Sequence, residues 1–120
     1  MAKFADDSIM DAALGVIDNS TRMVVTSAQP ANFAGIAAVA LADVTLDSGD
    51  FTIANGDASG RKVTIGAQSG VTVDASGTAT HVCLDNGTTL LYVTTCTSQA
   101  LTAGNTVDIP AWKVEIADPS

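Results

Sequence analysis

The sequence predicts a mostly β protein: a single β-sandwich or barrel-like domain spanning 1–120, with one N-terminal α-helix at about 6–18 and a β region at about 22–117. Three observations predict it. A length of 120 residues suits one domain, and a chain of that size buries roughly two-thirds of the surface its unfolded form exposes. Helical apolar periodicity is confined to the first segment. From Asp43 onward, short runs of alternating Val, Ile and Thr are separated by turn residues.

The helix rests on Asp6–Asn19. Ile9, Met10, Ala13, Leu14 and Ile17 share one helical face. Asp6 and Asp7 stand where a helix start favours negative charge, and Asn19 is a stop. Arg22–Ser27 then reads as a β run ending at Gln29-Pro30. Residues 31–42 are apolar and uncharged. They fit either a short helix weakened by Gly35 or an apolar loop.

Alternating pairs follow at Val44/Leu46, Phe51/Ile53, Val63/Ile65/Ala67 and Val71/Val73. Turns are expected at Asp47–Asp50, Asn55–Asp57, Ser59-Gly60, Ser69-Gly70 and Ser76-Gly77. Asn86-Gly87 between two β runs predicts a two-residue hairpin loop. That register sets Leu84 opposite Thr89, Val82 opposite Leu91 and Thr80 opposite Val93, with Val82, Leu84, Leu91 and Val93 facing the core. The other face then carries Cys83 opposite Leu90 and His81 opposite Tyr92. Cys96 is too far along the partner strand to reach Cys83, so both thiols are expected to be free. After a turn at Ala103–Asn105, Pro110 marks an edge, a bulge or a break. Trp112, Val114 and Ile116 alternate with Lys113 and Glu115 as a half-buried last strand.

Charge narrows the function. The formal net charge is −8, from 13 acidic against 5 basic residues, which disfavours phosphate backbones and anionic membrane surfaces. It fits solubility by self-repulsion, or a partner with a basic docking surface. The start lacks the apolar core of a secretory signal, and the run 33–42 is too short to span a bilayer, so a soluble chain made in the cytoplasm is expected. Charged residues make up only 15% of the chain, and this thin coat suggests a surface covered by other subunits.

The motifs of chemistry are not met. His81 is the sole histidine, and no Gly-x-Ser-x-Gly elbow accompanies it. Asp47–Asp50 and Asn55–Asp57 offer oxygens but not the spacing of a calcium loop. Two cysteines alone do not make a zinc site. Neither Ser76–Thr78 nor Asp57–Lys62 has phosphate-loop spacing. The expectation is a non-enzyme with no catalytic residue, cofactor or metal. Its candidate contact residues are Phe33, Ile36, Val39 and Leu41 of the uncharged segment, together with His81 and Tyr92. The segment is covered either by the chain's own sheet or by a neighbouring subunit.

Three stretches carry a resemblance. Gly77-Thr78-Ala79-Thr80-His81, the hairpin 85–93 with Leu90-Leu91-Tyr92, and Gly104-Asn105-Thr106-Val107-Asp108-Ile109-Pro110-Ala111 resemble small structural proteins of tailed bacteriophages. The chain lacks the extended Gly-rich loop that many tail-like members carry after the first strand. The resemblance implies a virion component made in the bacterial host. Its first form is a head decoration or cement protein, a homo-oligomer seated on the major capsid protein or other virion proteins. The alternative is a tail or tail-tip, fibre-associated protein that faces a receptor. The scarcity of aromatics (4%) favours decoration.

Overall fold

The computed structural model describes residues 5–117. Helix α1 (Asp7–Asp18) begins where the Asp6 carboxylate accepts the Ser8 N–H at 3.0 Å, and it ends at Asn19. It buries Met10, Leu14 and Ile17, one residue per turn. Ile9 and Ala13, expected on the same buried face, are exposed. The helix lies against the sheet on a narrower stripe than its apolar arc, so only half of that arc finds a partner.

β1 (Arg22–Thr26) follows. The 31–42 segment divides into a 3-10 turn (Phe33–Gly35), a four-residue helix α2 (Ile36–Val39) and the start of β2 (Ala40–Thr45). Asn32 caps the turn by accepting the Gly35 N–H at 2.9 Å. A second 3-10 turn (Ser48–Asp50) leads into β3 (Phe51–Asn55). There Asp47 and Asp50 form a reciprocal capping box, each carboxylate accepting a backbone N–H. This pair is therefore occupied by turn chemistry.

The remaining strands are β4 (Arg61–Ile65), β5 (Gln68–Thr72), β6 (Gly77–Asp85), β7 (Leu90–Leu101), β8 (Thr106–Ile109) and β9 (Trp112–Ile116). They form three antiparallel sheets, ordered β2-β1-β6-β7, β3-β4-β9 and β5-β8. The fold is thus mostly β with one N-terminal helix, as the sequence predicts. Pro110 separates β8 from β9, the break among the three readings left open. The Ser69-Gly70 turn is not a turn. Gly70 sits inside β5 as a bulge at φ 66°, and its N–H donates to Asp108 Oδ1 at 2.8 Å.

The hairpin register also departs from expectation. Its loop has four residues, Asn86–Thr89, because the Asn86 side-chain oxygen gathers the Thr88 and Thr89 N–H groups at 3.1 and 2.8 Å. Leu84 pairs with Tyr92, Cys83 with Val93, Val82 with Thr94 and His81 with Thr95. Leu84's partner lies three residues further along β7 than predicted, and an odd shift exchanges the faces of a strand. Val82 and Leu84 remain on the core side, but Tyr92 joins them there and Val93 turns to the opposite face. Leu91 falls in the bulge between the Leu84–Tyr92 and Asp85–Leu90 pairs.

The main core lies between α1 and the sheets, around Leu14, Met23, Val63, Ile65, Val73 and Leu84. Trp112 closes one side of it. Its indole N–H approaches Met23 Sδ at 3.4 Å, and its ring stacks on Tyr92 with centroids 6.0 Å apart. A second, smaller cluster occupies the other face of the four-stranded sheet. There Ile36 and Phe33 pack over Val24, Cys83, Leu90 and Val93.

Candidate interaction surfaces

The six residues proposed as contacts separate in the structure. Ile36 and Leu41 are buried inside the chain at 1% and 4% exposure. The chain's own sheet covers them, so neither is available to a partner. Tyr92 is committed to the Trp112 stack. Phe33 and Val39 are half-buried on the outer layer, where the Val39 carbonyl accepts the Ser27 N–H at 3.0 Å. His81 is half-buried on β6 and opposes Thr95 rather than Tyr92. Its Nδ1 lies 2.8 Å from the Thr80 hydroxyl.

What the structure assembles instead is a division of charge. Residues 27–42 carry no charged side chain, and neither do residues 86–107. The packing of Phe33 and Ile36 over Val24, Cys83, Leu90 and Val93 brings these two stretches together on the outer face of the β1-β6-β7 sheet. A shallow depression of about 500 Å³ lies between them, lined by Ala31–Ala34 and Thr88–Leu90. Two further hollows, of about 250 and 120 Å³, adjoin β7 where it faces Ile109 and Pro110. They share Val82 and Cys96 in their walls. They open beside a bulge, since Cys96, Thr97 and Ser98 together oppose the single residue Thr80.

The charges collect on α1, the β1–β2 rim and the β3-β4-β9 sheet. Arg22 donates to Asp85 at 2.8 Å, lies 3.7 Å from Asp43, and stands 6.0 Å from the Phe33 ring centroid. Arg61 holds Asp11 at 2.8 Å and so ties α1 to β4. Lys62 and Lys113 converge on Asp57. Every lysine and arginine among the described residues thus meets a carboxylate, and the carboxylates left over give the surface its negative sign.

The Arg22–Asp85 pair is not identified by the sequence, which places Arg22 in a β run and Asp85 at the start of the hairpin. Asp85 is 1% exposed, with Oδ2 on the Arg22 guanidinium and Oδ1 accepting the Gly87 N–H at 2.9 Å. Both thiols are free, as expected. Burial, and secondarily the Asp85 carboxylate, pushes the Cys83 thiol up to about 11, and burial also raises Cys96. Burial thus disfavours the thiolate at both positions, most strongly at Cys83. No group of three or more potential metal-ligating side chains occurs among the described residues, and no helix there is long and apolar enough to cross a membrane. No protein-family model, curated protein or solved structure matches this chain.

Proposed function

We propose that this chain is a non-catalytic structural protein of a tailed-bacteriophage virion, acting as a capsid decoration or cement protein that stabilises the head. The observation that carries the reading is the division of charge: the charge-free stretches 27–42 and 86–107 meet on the outer face of the four-stranded sheet, where charge is confined to the Arg22, Asp43 and Asp85 cluster at the rim, in a chain of net charge −8. Uncharged faces suit contacts between like-charged copies, and the acidic remainder suits a basic shell surface. The stretches that resemble phage structural proteins fall on positions with architectural work. A Cβ on Gly77 would come within 2.9 Å of Leu41, and Gly104 turns the chain at φ 91°.

The receptor-facing tail alternative draws less support. Such a surface uses exposed aromatic rings, whereas Tyr92 and Trp112 are stacked on each other against the core. Gold-labelled antibody against the chain, applied to intact particles, separates the two. Label over heads supports decoration. Label confined to tails replaces it with the tail reading.

A further inference from the structure

Strand β7 ends the four-stranded sheet and pairs on one side only, with β6. Its other side presents a row of backbone N–H and C=O groups along Leu90–Leu101. Proteins ordinarily blunt such an edge with a lysine or a proline, and β7 has neither, nor any other charged residue. The two hollows beside β7 open along this same strand, between it and the Ile109-Pro110 link. We infer that the edge takes an extended segment of another protein, one with aliphatic side chains at alternate positions and a basic residue beside them.

Each part of that partner answers a feature of the site. The repeat of backbone donors and acceptors along β7 is matched by another extended backbone. Side chains on one face of an added strand recur about every 7 Å. The hollows follow one another along β7 in the same way, the smaller beside Thr94–Cys96 and the larger from Cys96 to Leu101. The bulge at Cys96–Ser98 bends the strand where the two meet. Val82, Ile109 and Pro110 wall both hollows, so alternate side chains that enter them leave water for an apolar lining.

Charge favours a foreign segment over a second copy. Asp108 is the one charged residue lining either hollow, and it is exposed. Its Oδ1 accepts the Gly70 N–H at 2.8 Å, a neutral donor that leaves the carboxylate charge open to a base at the mouth. A second β7 brings no base, and every lysine and arginine among the described residues already meets a carboxylate. The net charge of −8 also draws a basic segment from a distance and repels another copy.

This edge deepens the docking of the chain on a basic shell surface, and it rests on that reading only for the partner's place in the particle. The free strand side, the hollows and Asp108 stand without it.

Titration of the full chain with short capped peptides tests the edge. The peptides alternate leucine with threonine, and lysine replaces each threonine in turn. Trp112, the sole tryptophan, lines the smaller hollow and reports occupancy by its fluorescence. At least one lysine peptide should shift that emission saturably and bind at least about fivefold tighter than its glutamate counterpart. Asp108→Asn keeps the acceptor for Gly70, so it should melt like the parent and bind the lysine-free peptide as before, yet lose the preference for lysine. Methylating the peptide amides that face β7 should abolish binding, the mark of strand addition. The inference is overturned if no peptide binds up to millimolar concentration, if lysine and glutamate peptides bind alike, or if methylated peptides bind as well as unmethylated ones. A parent that dimerises in sedimentation and becomes monomeric on Thr95→Lys would assign the edge to a second copy and also overturns it. If the peptides bind as expected but the chain is absent from particles, the strand-addition site stands and the virion reading fails. If the chain sits on heads but takes no such peptide, the virion reading stands and the site fails.

Discussion

Replacing Arg22 by methionine strands the Asp85 carboxylate. Asp85 is 1% exposed and rests on two donors, the Arg22 Nε at 2.8 Å and the Gly87 N–H at 2.9 Å. Removing the guanidinium leaves a buried charge with one neutral donor. Breaking a buried pair in this way costs about 3–5 kcal/mol. Arg22 is itself 35% exposed, and solvent already screens part of the attraction, so the expected loss is about 2–3 kcal/mol. At about 4 °C per kcal/mol for a chain of this size, the melting temperature should fall by roughly 8–12 °C. Changing both partners, Arg22→Met with Asp85→Leu, removes the stranded charge and should recover most of the loss. Differential scanning calorimetry of the parent, the single and the double variant measures all three. A single variant within 0.5 kcal/mol of the parent, by the usual tolerance of a surface change, would refute the buried pair as a support of the β1–β6 rim.

Other expectations follow from the same packing. Tyr92→Ala should cost about 3 kcal/mol by calorimetry, because it empties the space against Trp112, whereas the predicted two-residue hairpin would have made Val93 the costlier core loss. Gly60→Ala should cost more than about 1 kcal/mol by denaturant titration, since φ is +70° and the new Cβ would lie 1.9 Å from the Ile116 carbonyl oxygen. Cys83 should resist alkylation in the native protein at pH 8 while Cys96 reacts sooner, and both should react after unfolding without reductant; protection that only a reductant lifts would contradict the free thiols. The Cys83 thiol rises from 9.0 to about 11 on folding, so its contribution is fully present below pH 9 and is lost as pH climbs toward 11. The melting temperature of the parent should fall more steeply over that window than that of Cys83→Ala, and parallel curves would count against the shift.

Particular residues show what the sequence could and could not convey. The N-terminal helix was legible because Asp6, the Met10–Leu14–Ile17 spacing and Asn19 are local signals that tertiary packing did not override. The strands around Phe51, Val63, Val71 and Trp112 were legible from alternation. The hairpin register was not, because Asn86-Gly87 marks a turn without fixing its length. The side chain of Asn86 enlarged the loop, and an odd shift then moved Tyr92 and Val93 to opposite faces.

The contact residues were read from an apolar run whose cover the sequence could not name. The structure places Ile36 and Leu41 within the chain and leaves Ile9 and Val16 outside it. Amphipathicity shows how wide an apolar arc is, but not which half of it the sheet will take. The role of Asp85 was not legible, since its partner Arg22 lies 63 residues away. The uncharged segment 31–42 was visible as a run, and only the fold shows that it meets the charge-free stretch 86–107 on one face.

The most direct test of the structural role is quantitative mass spectrometry of gradient-purified particles from a host that makes this chain. The account predicts its peptides in intact particles, at many copies per particle in a fixed ratio to the major capsid protein. Particles that form and infect without any copy of the chain, while the chain accumulates in the surrounding lysate, would contradict it.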